Sequence, residues 1–219
     1  MNYTALSAAI QAYTENTETN FVANIPVFVT QAEQRIFNSV QFPSLRQNVT
    51  GATTTNNKYL QCPTDFLAVY SLAIINASGE YEYLLNKDVN FIRQAYPQPT
   101  DTGMPKYYAL FGPRSDNAAE LTFILGPTPD AAYGAELHYF FYPPSITVSP
   151  YTSWLGDNFD PVLLYASLVE AYTYMKGEQD MMTLYNQKFM EALALAKRLG
   201  DGMERQDAYR SGQFRQKVT

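Results

Sequence analysis

The spacing of apolar residues changes twice along this chain, and that constrains its fold more than any motif does. Up to about residue 44 they recur at helical intervals. From Leu45 to about Pro144 the spacing is strand-like, and from Asp160 the helical interval returns. In the first helix Leu6, Ala9, Ile10 and Tyr13 share a face, and Thr4 is the expected N-cap. The polar run from Glu15 to Asn20 reads as a loop. A second helix is expected from Asn24 as its cap, with Pro26 in the first turn, where its missing N–H leaves nothing unpaired. Its stripe is Ile25, Phe28, Val29, Ala32, Ile36 and Val40, and Pro43 ends it.

In the middle, residues 48–55 are polar and β-branched, as in an exposed strand or arm. Residues 58–62 form a short strand stopped by Pro63. The nearly continuous apolar run 67–75 fits a strand buried on both faces. Turn residues at 77–80 lead to a strand over 81–85, then a short helix over 89–96, then strands over 106–111, 120–125 and 135–142.

Asp160 followed by Pro161 is a helix-start signal. Residues 162–176 are apolar nearly all round, which implies burial in a core or between subunits. Asp180 caps a last helix with the stripe Met181, Leu184, Tyr185, Phe189, Ala192, Leu195, Ala196 and Leu199, and Gly200-Asp201-Gly202 is expected to break it. The whole reads as an α+β fold. Residues 1–44 and 151–200 build a helical bundle, residues 45–150 form an inserted antiparallel β-rich domain, and residues 201–219 form an extended C-terminal arm.

Composition narrows the function. Charged residues are 16% of the chain, against about 25% in an ordinary soluble domain, and there are 18 tyrosines. Tyrosine at this density suits wet protein–protein contacts, and it equally suits β-strands. The net charge of −6 argues against a general duplex-DNA binder, which needs a basic face. Six basic and three acidic residues from Lys197 onward leave that end at +3 and the rest at −9. The stretch after Gly202 cannot bury a core of its own, so ordering it needs a partner; the alternative is a tail that stays mobile.

Reactive groups are scarce. Cys62 is alone, so no intrachain disulfide forms, and it reads as a small buried hydrophobe. His138 is the one histidine, set in an aromatic strand and read as structural. Glu80 with Glu82, and Asp157 with Asp160, have plain readings as a strand face and as helix capping. No phosphate-binding Gly-rich loop, nucleophile elbow, zinc pair or calcium loop is present, so no catalytic residue, metal or cofactor is expected. Neither a leader nor an apolar membrane-spanning run is visible. Tyr107-Tyr108 and the aromatic run 139–142 either stack sugars or bases or fill the β core. Trp154, the lone tryptophan, precedes the helix that starts at Asp160. A carbohydrate-binding or other tail-component module is therefore the alternative to the reading that follows.

Several segments resemble the head-to-tail adaptor family of short-tailed bacteriophages across about residues 3–199. The helix Ile25-Pro26-Val27-Phe28-Val29-Thr30-Gln31-Ala32-Glu33-Gln34-Arg35-Ile36 is similar to the family's "xFIxxAExRI". Tyr59-Leu60-Gln61-Cys62-Pro63-Thr64-Asp65-Phe66-Leu67 resembles "YxLPxDFLxL", departing at Cys62 and Thr64. Gly103-Met104-Pro105-Lys106-Tyr107-Tyr108, Leu125-Gly126-Pro127-Thr128-Pro129-Asp130 and the tyrosine-rich strand ending at Pro144 follow in the family's order. The segment Asp160 to Ala171 resembles "LLYAALxEA".

The resemblance implies a structural virion protein in the neck between capsid and tail, assembled in the host cytoplasm. It implies a homo-oligomer, a dodecameric ring under the portal protein, with tail or nozzle proteins below and DNA passing through its channel without sequence-specific binding. The C-terminal arm would dock on the portal. Arg205, Tyr209, Arg210, Phe214 and Arg215 are the expected docking residues, and Leu164, Leu168 and Met175 the expected subunit interface.

Overall fold

A computed structural model describes residues 1–112 and 121–210, with side chains as far as Leu199. The chain divides into two compact units, residues 1–45 with 142–219 and residues 46–141.

The first unit is helical. Helix α1 (Tyr3–Thr14) starts one residue before the expected cap, because the Asn2 side chain accepts from the Ala5 N–H at 2.9 Å. Helix α2 (Thr19–Ser39) starts five residues before Asn24, so Pro26 lies inside it rather than in its first turn. A proline inside a helix costs about 3 kcal/mol. The added turns bury Phe21 almost completely, and such a side chain contributes about 1.5–3 kcal/mol, which offsets much of that cost. Asn24 caps nothing; its amide donates back to the Asn20 carbonyl at 2.7 Å. A short helix missed in the sequence, α4 (Trp154–Asn158), is capped by Ser153, whose hydroxyl accepts from the Gly156 N–H. Helix α5 (Asp160–Met175) and the 32-residue helix α6 (Gln179–Arg210) complete the unit.

Helix α5 lies at the centre, packed by α1, α2 and α6. That accounts for its apolar circumference: the chain's own helices cover it. Leu163, Ala166, Leu168 and Ala171 are fully buried, and the one polar side chain among them, Ser167, donates to the Leu163 carbonyl at 2.7 Å.

The connection from the β unit into α4 is fastened to α2 by a buried acid. Glu33, 2% exposed, accepts from the Ile146 N–H at 3.0 Å. Its other carboxylate oxygen has no hydrogen-bond partner. Burial raises its pKa above the ordinary carboxyl value, and hydrogen bonds from Ser145 and Ile146 only partly oppose the shift.

The second unit is a sandwich of two four-stranded sheets. One has the order β1 (Arg46–Ala52), β8 (Gly134–Phe140), β3 (Ala68–Ile75), β4 (Tyr81–Tyr83). The other has the order β2 (Tyr59–Gln61), β7 (Thr122–Gly126), β6 (Tyr107–Phe111), β5 (Leu85–Asn86). Every pairing is antiparallel except the two-residue β5 against β6. Strand β8 shows the alternation a half-buried strand requires, with Ala135, Leu137 and Tyr139 inward. These meet Tyr108, Phe123 and Leu125 of the other sheet in one core. Helix α3 (Val89–Ala95) covers the outer face of the second sheet through Ile92, against Ala109 and Ile124.

Three expectations are corrected here. The strand buried on both faces is β7, not β3, whose first half is open and whose Tyr70 sits at a register shift. The strand expected over 81–85 is two short strands, β4 and β5, parted at Leu84, which is buried while Tyr81, Tyr83 and Leu85 are exposed. Helix α6 does not stop at Gly200–Gly202 but continues to Arg210, so the segment from residue 201 onward is not extended through that point. Two glycines cost only about 1 kcal/mol each, and the helix-forming residues around them offset that.

Two measurements follow. Replacing Gly200 and Gly202 together by proline, which costs about 3 kcal/mol inside a helix, should lower helical circular dichroism; an unchanged spectrum would contradict a helix there. A buried carboxyl with a raised folded pKa stabilises the fold fully below its unfolded value, and the contribution is lost as pH rises through the folded value. Glu33→Gln keeps the acceptor for Ile146 and should flatten the fall in stability between mildly acidic and neutral pH. Glu33→Ala leaves the Ile146 N–H unpaired and should cost about 1–3 kcal/mol by urea denaturation at acidic pH.

Candidate functional site

Among the described residues the groups that could do chemistry stand apart from one another or on an open face. Cys62 is buried in the sandwich, and burial pushes its thiol up to about 12, far from a reactive thiolate. His138 stands on the outer face of the β1–β8–β3–β4 sheet. The Ser71 hydroxyl lies 3.3 Å from its Nδ1, and Glu136 Oε1 lies 3.7 Å from its Nε2. A serine, a histidine and an acid in line suggest a nucleophile relay. The acid, however, is beyond hydrogen-bond length, and the three occupy neighbouring positions on an open strand face, not a water-excluded cleft. Glu80 is not on a strand with Glu82; it closes the 76–80 turn, where its carboxylate accepts from the Asn76 amide at 3.0 Å. Asp157 pairs with the Met1 ammonium at 3.8 Å, and Asp160 begins α5. Among the described residues no group of three or more His, Cys, Asp or Glu could hold a metal ion, and no helix is long and apolar enough to cross a membrane.

The aromatic residues divide between core and surface, with Tyr59, Tyr70, Tyr81, Tyr83 and Phe111 among the exposed ones. Tyr108 and Tyr139 are buried around Phe123 and Phe66. The Tyr139 hydroxyl donates to Asp65 at 3.0 Å, and burial with that bond pushes its pKa up to about 12. Trp154 lies in the helical unit against Phe42 and Phe159, at centroid distances of 5.1 and 5.3 Å. None of these offers a sugar-stacking platform.

The segments that carry the resemblance acquire physical roles. Ala32 and Ile36 of α2 are fully buried. Glu33 fastens the 142–153 connection, and Arg35 pairs with Glu170 of α5 at 3.4 Å while its guanidinium stands 5.0 Å over the Phe189 ring of α6. Glu33 lies one helical turn from Val29, on the apolar face. An acid at that register was the available sign of a buried anchor, and spacing alone passed over it. In the second segment Asp65 holds Tyr139, and Phe66 meets the Phe123 ring edge-on at 5.6 Å.

What remains are surfaces. Of the expected interface residues, Leu164 and Met175 are partly exposed. Leu168 is corrected: it is fully buried beneath this chain's own helices and is not presented to a neighbour. Helix α6 adds a row the sequence stripe had assigned to the core. Tyr185, Phe189, Leu193 and Ala196 face inward, while Leu184, Leu195 and Leu199 are exposed on an adjoining side. Lys188 and Glu191, 3.1 Å apart, lie along that row. Arg205, Tyr209 and Arg210 fall in the last turns of α6. Phe214 and Arg215 lie outside the described residues.

Three comparisons place the chain. A search of curated proteins finds no match. Among solved structures, a chain from the neck of an empty GTA particle, computed with C6 symmetry, is similar at 9% identity, with 78% of each chain covered and a TM-score of 0.27. A likeness of that size leaves the function to be argued from other observations. The family model described as SU10 adaptor protein matches residues 1–216. With a match across nearly the whole chain, the chain belongs to the SU10 adaptor protein family, a family of structural adaptors.

Proposed function

We propose that this chain is the subunit of a ring that joins a phage capsid to its tail. The ring, dodecameric by the resemblance, would sit beneath the portal with tail or nozzle proteins below, and would continue the channel through which DNA passes. The observation that carries this reading is the adaptor-family match over residues 1–216. The charge distribution supports it. Outside the last 23 residues the chain carries −9, and an acidic wall repels phosphates, letting DNA slide past without being gripped.

The partly exposed Leu164 and Met175, with the α6 row Leu184, Leu195 and Leu199, are the side chains that neighbouring copies would cover. Arg205, Tyr209, Arg210, Phe214 and Arg215 are the proposed portal contacts, with the two aromatics as anchors and the arginines pairing with acids at the rim. Because α6 reaches Arg210, the docking element begins as helix.

Light scattering tests this on the full chain, alone and mixed with the portal of the same phage. The expected result is a portal-dependent gain in mass of many copies, lost when residues 203–219 are removed. Leu195→Glu should weaken it by about tenfold or more, the scale of a lost central interface contact. A chain that stays monomeric and ignores the portal would overturn the reading.

A further inference from the structure

Among the described residues one side of the β-sandwich is not closed: strands β1 and β2 end their sheets there, β1 pairing with β8 and β2 with β7. An end strand presents a row of unpaired backbone donors and acceptors, and proteins ordinarily blunt such an edge with charge, proline or a covering segment. Strand β1 is seven residues long, has no proline and has one charged residue, Arg46 at its start. Six of its seven residues are exposed.

The inner face of β1 is also unfilled. Val49 stands opposite Leu137 and Gly51 opposite Ala135, on the side that faces the core. Leu137 and Ala135 are buried, yet Val49 is 38% exposed and nothing lies within 4 Å of where a Gly51 Cβ would stand. The space is a pocket of about 300 Å³ that opens between β1 and β2 onto Leu72, Phe123 and Leu137. A second, more polar recess adjoins it along Gly51, Ala52 and Tyr59. Thr122 of β7 borders that recess and is 3% exposed. Among the described residues no charged side chain lines either space.

We propose that this seam is a docking groove for an extended strand of another polypeptide. The strand adds to the free edge of β1 and seats an uncharged, apolar side chain over Leu72, Phe123 and Leu137. Strand addition joins backbone hydrogen bonds for affinity to a side-chain pocket for selectivity, and both halves are in place here. Charge sets the occupant's chemistry. A carboxylate or ammonium entering this uncharged, largely apolar space would be desolvated without a partner, so every second residue must be uncharged. This chain's own edge strand β4 does not meet the requirement. Its central residue, Glu82, lies opposite the fully buried Ile74 and would turn a carboxylate toward the pocket.

The test uses the full chain and a fluorescein-labelled peptide, acetyl-Thr-Val-Thr-Val-Thr-Val-amide, with the version carrying Glu in place of Val as control. Saturable anisotropy change is expected, with slowed amide exchange in residues 46–52. The Glu peptide should bind at least about tenfold more weakly. Gly51→Trp fills the groove and should abolish binding while keeping the wild-type unfolding midpoint. If tryptophan disturbs the fold, Gly51→Val, whose side chain suits a strand, should weaken binding with the fold intact. No binding, binding indifferent to both substitutions, or equal binding of the Glu peptide would overturn the proposal. So would dimerisation of the free chain through β1, which would assign the seam to a second copy. None of these readouts involves the portal, so the groove and the ring stand or fall separately.

Discussion

Helix α5 has no side that water could cover, and the helical unit is arranged around that constraint. Its interior residues are buried under α1, α2 and α6, helices drawn from both ends of the chain, so the unit forms only when the termini meet. Two polar devices on α2 hold the arrangement in register. Arg35 ties α2 to α5 through Glu170 and stacks on Phe189 of α6. Glu33 holds the returning chain by the Ile146 N–H. An exposed ion pair contributes little, about 0–1 kcal/mol. The buried carboxyl matters more, because removing it would leave a desolvated donor inside the unit.

The alternation of period made the helical ends and the strand-rich middle legible, because periods of 3.6 and 2 follow directly from backbone geometry. Most strand positions and the α5 start signal at Asp160–Pro161 were readable for the same reason. Misreadings arose where a local signal competed with packing. Asn24 and Pro26 are good start signals, but α2 begins at Thr19 and its added turns bury Phe21. Gly200 and Gly202 looked like a stop, but two small penalties did not end a long helix. An apolar circumference was visible for α5, yet spacing could not say whether this chain or a neighbour covers it. The structure answers that for Leu168, which lies in the protomer's own interior.

The candidate surfaces were less legible than the fold. A stripe read at helical spacing merges positions that differ by a third of a turn, so Leu184, Leu195 and Leu199 were grouped with core residues they do not join. The seam between β1 and β2 was invisible in the sequence, because which strands end a sheet depends on pairings between residues far apart. One histidine and one cysteine left few ways to propose a reactive centre from the sequence, and the cysteine is buried with its thiol pushed up to about 12.

The account's central claim is that these copies close into a ring on a portal, and electron microscopy of the chain assembled with the portal of its own phage tests it most directly. The account predicts a closed ring coaxial with the portal, a channel continuous with the portal's, and the exposed row of α6 covered by the adjacent copy. Isolated chains scattered on the portal, or an open filament without a channel, would contradict it.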